Sequence, residues 1–136
     1  MTRGLAALVL LAVAGGSAGA YAPNVEYALN CQGCHRADGA GTPGSVPPLV
    51  GSVARFLAAP GGREYLVQVP GVAQAPLDDA TLAAVMNWML EKFDHGHIPA
   101  GFVPYDAAEV GRLRTKPLTD VETVRKRLLA IIDAKP

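Results

Sequence analysis

Cys31-Gln32-Gly33-Cys34-His35 is the stretch of this sequence on which the interpretation of the fold depends. Two thiols separated by two residues can each add to a vinyl group of a porphyrin, and the next residue then lies beneath the iron. C-x-x-C-H is accordingly the attachment signature of c-type haem. We predict one covalent haem c, bound through Cys31 and Cys34, with a neutral imidazole nitrogen of His35 as the axial iron ligand.

Other uses of the cysteine pair fit the sequence less well. A thioredoxin-like dithiol would need a βαβ pattern around it, which the sequence lacks. A zinc site would need further ligands, and the remaining histidines, His95 and His97, lie far along the chain in a linker that contains Gly and Pro. A disulfide between Cys31 and Cys34 would close a loop too short to constrain the unfolded chain strongly.

The N-terminal residues 1–20 have the layout of a secretory signal peptide. Arg3 provides the positive start, and the apolar run over 4–14 is shorter than the roughly 20 residues that a membrane-spanning helix needs. Ala18-Gly19-Ala20 then offers the small residues of a cleavage site. We predict cleavage after Ala20, a periplasmic location and no stable membrane span in the mature protein, with an uncleaved membrane anchor as the alternative.

Length and composition narrow the possible classes of protein. The 136 residues suffice for one domain. Lys and Arg number 12, as do Asp and Glu, so the sequence lacks the basic surface that nucleic-acid binding requires. Half of the residues are hydrophobic and 18% are charged, a balance that favours a folded chain over a disordered one. We expect a folded protein that does not bind nucleic acid.

Apolar residues recur at helical spacing, and no stretch of useful length alternates as a strand would, so we predict an all-α fold. Asp78 or Asp79 is predicted to cap the clearest helix. The Gly- and Pro-rich stretch 31–51 is predicted to be a loop, and Pro70-Gly71 to end the helix before it. The predicted helices are 23–30, 53–59, 62–69, 76–93, 106–114 and 121–133.

Beyond the pentapeptide, the sequence resembles the small class I cytochromes c. Three features carry the resemblance: Tyr27 four residues before Cys31, then His35-Arg36-x-Asp38-Gly39-x-Gly41, and then Pro47-Pro48-Leu49-x-Gly51. The resemblance covers about residues 23–93 and implies a cytochrome c-like helical fold around one haem. We therefore expect a haem domain over 21–97 followed by a C-terminal helical extension over 98–136.

The same resemblance implies two contacts within the haem domain. The carbonyl of Pro47 is expected to accept a hydrogen bond from the free N–H of His35, which would fix the ring and raise its basicity as a ligand. Tyr27 is expected to pack against Trp88, so that the first helix crosses the helix over 76–93 beside the haem. Ordinary core filling by Trp88 is compatible with this contact.

The sixth iron ligand is the point at which the sequence departs from the class I pattern. Members of the family usually supply a methionine, followed by proline, just before the C-terminal helix. Here Ala75 precedes Pro76, and alanine cannot bind iron. We take Met89 as the candidate distal ligand, although core packing is the alternative for a methionine on this helix. The other candidates are Met86, His95 and His97, and the two histidines can equally be surface residues. A further alternative is that no protein side chain binds the iron at this position.

The resemblance implies an exported monohaem cytochrome that transfers single electrons between a periplasmic dehydrogenase and an acceptor such as an oxidase, and that is not an enzyme. A haem module with an open distal site, which binds small ligands or reacts with peroxide, is the alternative. Residues 106–136 contain seven basic and five acidic residues, whereas residues 21–105 contain four basic and seven acidic ones. The extension therefore either docks a redox partner, covers the haem domain or clamps it onto an enzyme.

Overall fold

The computed structural model describes residues 20–134, so the predicted signal peptide lies outside the described residues except for Ala20. Within this range no strand forms, and Thr42 and Val46 make an isolated β-bridge. No helix in this range is long and apolar enough to cross a membrane. The prediction of an all-α fold is confirmed. The α-helices are α1 (Pro23–Asn30), α2 (Gln32–His35), α3 (Gly62–Gln68), α4 (Pro70–Ala73), α5 (Asp79–Asp94), α6 (Ala107–Arg114) and α7 (Val121–Asp133), with 3₁₀ helices at Ala54–Ala58 and His95–His97.

Several predicted boundaries were wrong, each for a local reason. The helix predicted over 76–93 begins at Asp79, and the predicted cap at Asp78 is confirmed, because its side chain accepts a hydrogen bond from the Thr81 N–H. Pro70 does not only end α3 but occupies the first turn of α4, a position at which its missing N–H costs nothing. The segment 53–59 contains a 3₁₀ helix, and the predicted loop over 31–51 opens with the short helix α2.

Helix α5 is the centre of the core, because the apolar stripe along it buries residues against several neighbours. Met86 and Leu90 are at most 1% exposed, and α5 packs against both α1 and α6. On the α1 side, the Tyr27 ring centroid lies 5.3 Å from that of Trp88 and 5.2 Å from that of Phe93. The predicted contact between Tyr27 and Trp88 is confirmed. This contact fixes α1, and the cysteine motif that follows it, against α5.

The C-terminal helices α6 and α7 pack on the same core. Val110 of α6 and Leu128 of α7 are fully buried. Helix α6 contacts α3 and α5, and α7 contacts α3 and the 3₁₀ helix Ala54–Ala58. The Leu118 N–H also donates to the Gln68 carbonyl at 2.9 Å, which ties the α6–α7 connection to the end of α3. The apolar faces of both helices therefore cover the core that α3 and α5 build.

Candidate functional site

The cysteine motif forms a single helical turn that continues directly from α1. The Cys31 N–H donates to the Tyr27 carbonyl at 2.9 Å, and the His35 N–H donates to the Cys31 carbonyl at 3.0 Å. Both thiols are free; Cys31 is partly buried and Cys34 is exposed. Burial raises the pKa of the Cys31 thiol, and the neighbouring Cys34 raises it further. Cys31 and Cys34 therefore form no disulfide with each other in this structure.

The imidazole of His35 is half-buried and has an unsatisfied nitrogen. Its Nδ1 atom is buried and finds no hydrogen-bond partner of good geometry among residues 20–134. Burial lowers the pKa of His35 below 6.5, whereas the Pro47 carbonyl, which faces the ring, raises it. The carbonyl is therefore close enough to act on the ring without making a well-aligned hydrogen bond. Burial dominates, so the ring is held in the neutral form that binds metals.

Gly41 brings the Pro47 carbonyl towards His35. Its backbone has φ +71°, and a Cβ atom at this position would collide with the carbonyls of Val46 and Pro47. The Gly41 N–H donates to the His35 carbonyl at 3.1 Å. Next to it, Thr42 and Val46 exchange two backbone hydrogen bonds of 2.9 and 2.8 Å, which close the loop. The loop can fold back on the cysteine turn only because residue 41 has no side chain.

Tyr27 supports the turn from the other side. Its hydroxyl donates to the Arg36 carbonyl at 2.8 Å, directly after His35. Burial raises the pKa of Tyr27 to about 12, so the hydroxyl remains a donor at neutral pH. Arg36 itself has φ +65° and ψ 163°, an extended conformation at positive φ that is almost confined to glycine. The Tyr27 hydrogen bond therefore stabilises the sharp exit of the chain from α2.

This donor set fits a covalently bound haem c. Two unpaired thiols lie on one helical turn, and a neutral imidazole with an unsatisfied buried nitrogen follows them directly. Residues 20–134 contain no group of three or more His, Cys, Asp and Glu side chains that could hold a metal ion, so they offer no support for the zinc alternative. The βαβ unit of a dithiol oxidoreductase is equally missing from the described range.

The methionine candidates for the sixth ligand both lie inside the core. Met86 is 1% exposed and Met89 is 7% exposed, and both project from the buried stripe of α5. Met89 follows Trp88, whose ring contacts α1, the helix that leads into Cys31. Ala75 is also buried, and it belongs to the same hydrophobic cluster as the two methionines.

The histidine candidates lie at the surface. His95 Nδ1 lies 2.5 Å from Glu91 Oε2, and His97 Nδ1 lies 2.5 Å from Asp94 Oδ1. Asp94 is buried, and its other oxygen accepts a hydrogen bond from the Ala54 N–H at 2.7 Å. These carboxylates hold both imidazole rings on the 3₁₀ turn after α5. This arrangement agrees with the alternative that His95 and His97 are surface histidines.

Sequence reasoning missed Arg114, which contacts the segment where the class I resemblance expects the sixth ligand. Its guanidinium donates to the carbonyls of Ala73, Ala75 and Leu77 and pairs with Asp79. In the sequence, an arginine in the last turn of a helix is explained by the helix dipole alone. No local pattern relates Arg114 to a turn more than thirty residues earlier in the chain.

Two surface clefts, of about 480 and 390 Å³, flank the segment 99–102. Trp88, Glu91 and Phe102 line the first, whereas Arg63, Leu57 and the same Phe102 line the second. Their lining residues come from outside the cysteine turn. Neither cleft is therefore the place at which the thiols and His35 act.

The chain is similar to two proteins named Cytochrome c-552, both from Thermus thermophilus. One is 37% identical over an alignment 145 positions long, which covers 93% of this chain and 96% of the relative. The other is 37% identical over an alignment 124 positions long, which covers 78% of this chain and 95% of the relative. No protein-family model matches the chain. Because the identity extends over most of this chain and nearly the whole length of both relatives, the chain belongs to the class I c-type cytochromes.

Proposed function

We propose that this class I cytochrome is an exported carrier that passes single electrons from a periplasmic dehydrogenase to an acceptor such as an oxidase. The family is one of monohaem electron-transfer proteins. The observation that carries the proposal is the helical turn with two free thiols and the buried, unsatisfied Nδ1 of His35. Export is supported by the signal-peptide pattern of residues 1–20, because covalent haem attachment in bacteria takes place outside the cytoplasm.

In this proposal, Cys31 and Cys34 hold the haem through thioether bonds and His35 binds its iron. The bound haem supplies a one-electron change at iron. The chain supplies the surroundings: burial favours the neutral form of His35, and the Pro47 carbonyl is close enough to accept from Nδ1–H once the ring aligns with it, which would orient the ring and raise its basicity. An accepting carbonyl here also accounts for a nitrogen that would otherwise be left buried without a partner.

We propose a carrier rather than an enzyme because four aspartates that could act as acids or bases have structural partners instead. The side chains of Asp78, Asp106 and Asp120 accept from backbone N–H groups at the starts of α5, α6 and α7. Asp38 accepts from the Ala40 N–H within a turn. These carboxylates cap helices and close turns, which leaves them poorly placed to act as an acid–base pair.

For the sixth iron position, Met89 is the ligand we propose. It follows Trp88, whose ring packs against Tyr27 of α1, and it is 7% exposed, whereas Met86 lies three residues earlier and is 1% exposed. A second candidate function, a haem module that binds small ligands at an open distal position, is favoured by one observation. Ala75 occupies the place of the usual methionine, and its methyl group offers iron no donor atom.

The experiment is optical spectroscopy of the full chain, produced by export together with a c-type maturation system. Oxidised, reduced and carbon monoxide-treated samples of the wild type are compared with Met89→Leu and Met86→Leu, two volume-conserving changes in the same helix. A sulfur-to-iron band that only Met89→Leu removes supports Met89 ligation. A low-spin spectrum unchanged in both variants refutes it.

Redox behaviour tests the carrier itself. A reversible one-electron potentiometric titration, with no carbon monoxide response in the wild type, supports the carrier. A high-spin ferrous form that binds carbon monoxide rapidly refutes the closed electron carrier and supports the open haem module.

A further inference from the structure

Arg114 makes four polar contacts with one short stretch of backbone and the helix after it. Its Nε donates to the Ala73 carbonyl at 3.1 Å, and its two terminal nitrogens donate to the Ala75 and Leu77 carbonyls at 2.5 and 2.7 Å. The Nη1 atom also lies 3.0 Å from Asp79 Oδ1. With 16% of its side chain exposed, Arg114 is largely enclosed by these partners. One side chain thus binds three carbonyls of a single turn.

The turn over 73–77 needs such a donor. It joins α4 to α5, and Pro76 in its centre has no N–H to contribute. Within the turn, the Leu77 N–H donates to the Ala75 carbonyl at 2.8 Å, a tight contact between residues only two positions apart. Arg114 gives the Ala73 and Leu77 carbonyls a donor and the Ala75 carbonyl a second one. The planar guanidinium of arginine presents several N–H groups in a fixed arrangement that suits adjacent carbonyls.

The surroundings of Arg114 are arranged to keep it in place. It lies in the last turn of α6, where a cation is favourable, and its partner Asp79 lies in the first turn of α5, where an anion is favourable. Gly111 of α6 faces the same carboxylate, and a Cβ atom at Gly111 would collide with Asp79 Oδ2. The absence of a side chain at residue 111 therefore leaves room for the Asp79 carboxylate in the position from which it pairs with Arg114.

We infer that Arg114 is a positioning residue that holds the 73–77 turn against the core and thereby controls access to the sixth iron position. Ala75, which is buried in that turn, stands where the class I resemblance expects the methionine that would bind the iron. The inference rests on the proposed haem function. It gives the C-terminal region a role beyond covering apolar surface, because Arg114 fixes the backbone of the segment that carries Ala75.

The test uses the exported full chain in four forms: wild type, Arg114→Met, Arg114→Lys and Arg112→Met. Arg112 is the matched control, since it lies on the same helix with an exposed side chain. Amide hydrogen exchange by mass spectrometry reports on the 73–77 turn, and the rate at which imidazole binds to the ferric protein reports on access. Helical circular dichroism identifies any variant that does not fold, in which case Arg114→Lys, which keeps the charge, carries the test.

We expect exchange in the 73–77 turn to be at least tenfold faster in Arg114→Met, with Arg114→Lys intermediate and Arg112→Met unchanged. The rate of imidazole binding to the ferric protein should also rise at least tenfold in Arg114→Met, rise less in Arg114→Lys and stay unchanged in Arg112→Met. Unchanged exchange in both Arg114 variants would overturn the positioning role. Faster exchange with an unchanged binding rate would overturn the control of access.

The two proposals fail in different ways. If the wild type carries no covalent haem, the proposed function fails, and with it the control of access. The exchange comparison still decides in that material whether Arg114 fixes the turn.

Discussion

Replacing Gly41 by alanine should disrupt the loop beside His35 far more than the same change at Gly44. Both glycines have a positive φ, +71° and +80°, so each substitution carries the cost of a left-handed alanine, about 1–2 kcal/mol. Alanine also reduces the entropy of the unfolded chain equally at both sites. The positions differ in their surroundings, because no other part of the described chain comes within 4 Å of a Cβ at Gly44, whereas a Cβ at Gly41 meets two carbonyls.

The extra cost at Gly41 can be worked out from the bonds that must give way. Moving the Val46 carbonyl breaks the bridge between Thr42 and Val46, and its two hydrogen bonds each contribute about 0.5–1.5 kcal/mol. Gly41→Ala should therefore lower the free energy of unfolding by about 2–5 kcal/mol, against about 1–2 kcal/mol for Gly44→Ala. With a urea m-value of about 2 kcal/mol/M, a difference of ~2 kcal/mol moves the midpoint by ~1 M.

Urea unfolding of both variants, followed by circular dichroism, measures this difference. In the haem-loaded protein, Gly41→Ala should in addition change the reduction potential, because the displaced Pro47 carbonyl no longer orients His35. Gly44→Ala should leave the potential unchanged. Equal midpoints for the two variants would show that the loop accommodates a side chain at 41, and the account of how Pro47 reaches His35 would then be wrong.

Three further predictions concern the packing and the caps. Leu128→Ala, at a fully buried position of α7, should lower the free energy of unfolding in urea by about 2–5 kcal/mol. Ile131→Ala, at a position of the same helix that is 36% exposed, should lower it by less than about 1 kcal/mol. Similar losses in the two variants would contradict the docking of α7 on the core. Tyr27→Phe keeps the aromatic contacts and removes the hydrogen bond to the Arg36 carbonyl, so thermal unfolding should show a loss of about 0.5–1.5 kcal/mol, and no loss would mean that the bond is not formed. Hydrogen bonds from Thr81 lower the pKa of Asp78 below 3.8, so its contribution to stability is complete above that pH and is lost as the pH falls through the folded-state pKa. Asp78→Asn should weaken this acid dependence of the urea midpoint, and an identical dependence in wild type and variant would exclude Asp78 as its source.

The helices were predictable where one local signal was sufficient. The apolar stripe of α5 appears in the sequence as Leu82, Val85, Met86, Met89 and Phe93, and each of these residues is buried. The start of the same helix was predictable only to within a few residues, since Pro76 is compatible with a first helical turn and both Asp78 and Asp79 were candidate caps. The side-chain cap at Asp78 decided the boundary.

The candidate site was likewise predictable only where a local sequence signal was sufficient. The thiols and His35 follow from five consecutive residues, so spacing alone identifies them. The approach of Pro47 depends on the conformation at Gly41 and on the bridge that closes the loop, which only the folded chain displays. The contacts of Arg114 depend on how α6 docks against α5, and no periodicity in either helix records that docking.

The central claim is that Cys31 and Cys34 hold one haem and that His35 binds its iron. Its most direct test is mass spectrometry of the exported chain, with a digest that isolates the peptide containing residues 31–35 and a pyridine haemochrome assay on the same sample. The account predicts one haem per chain, linked to that peptide through both cysteines, and loss of the native axial spectrum in His35→Ala. Two unmodified thiols, or haem that acidified solvent extracts from the protein, would contradict it.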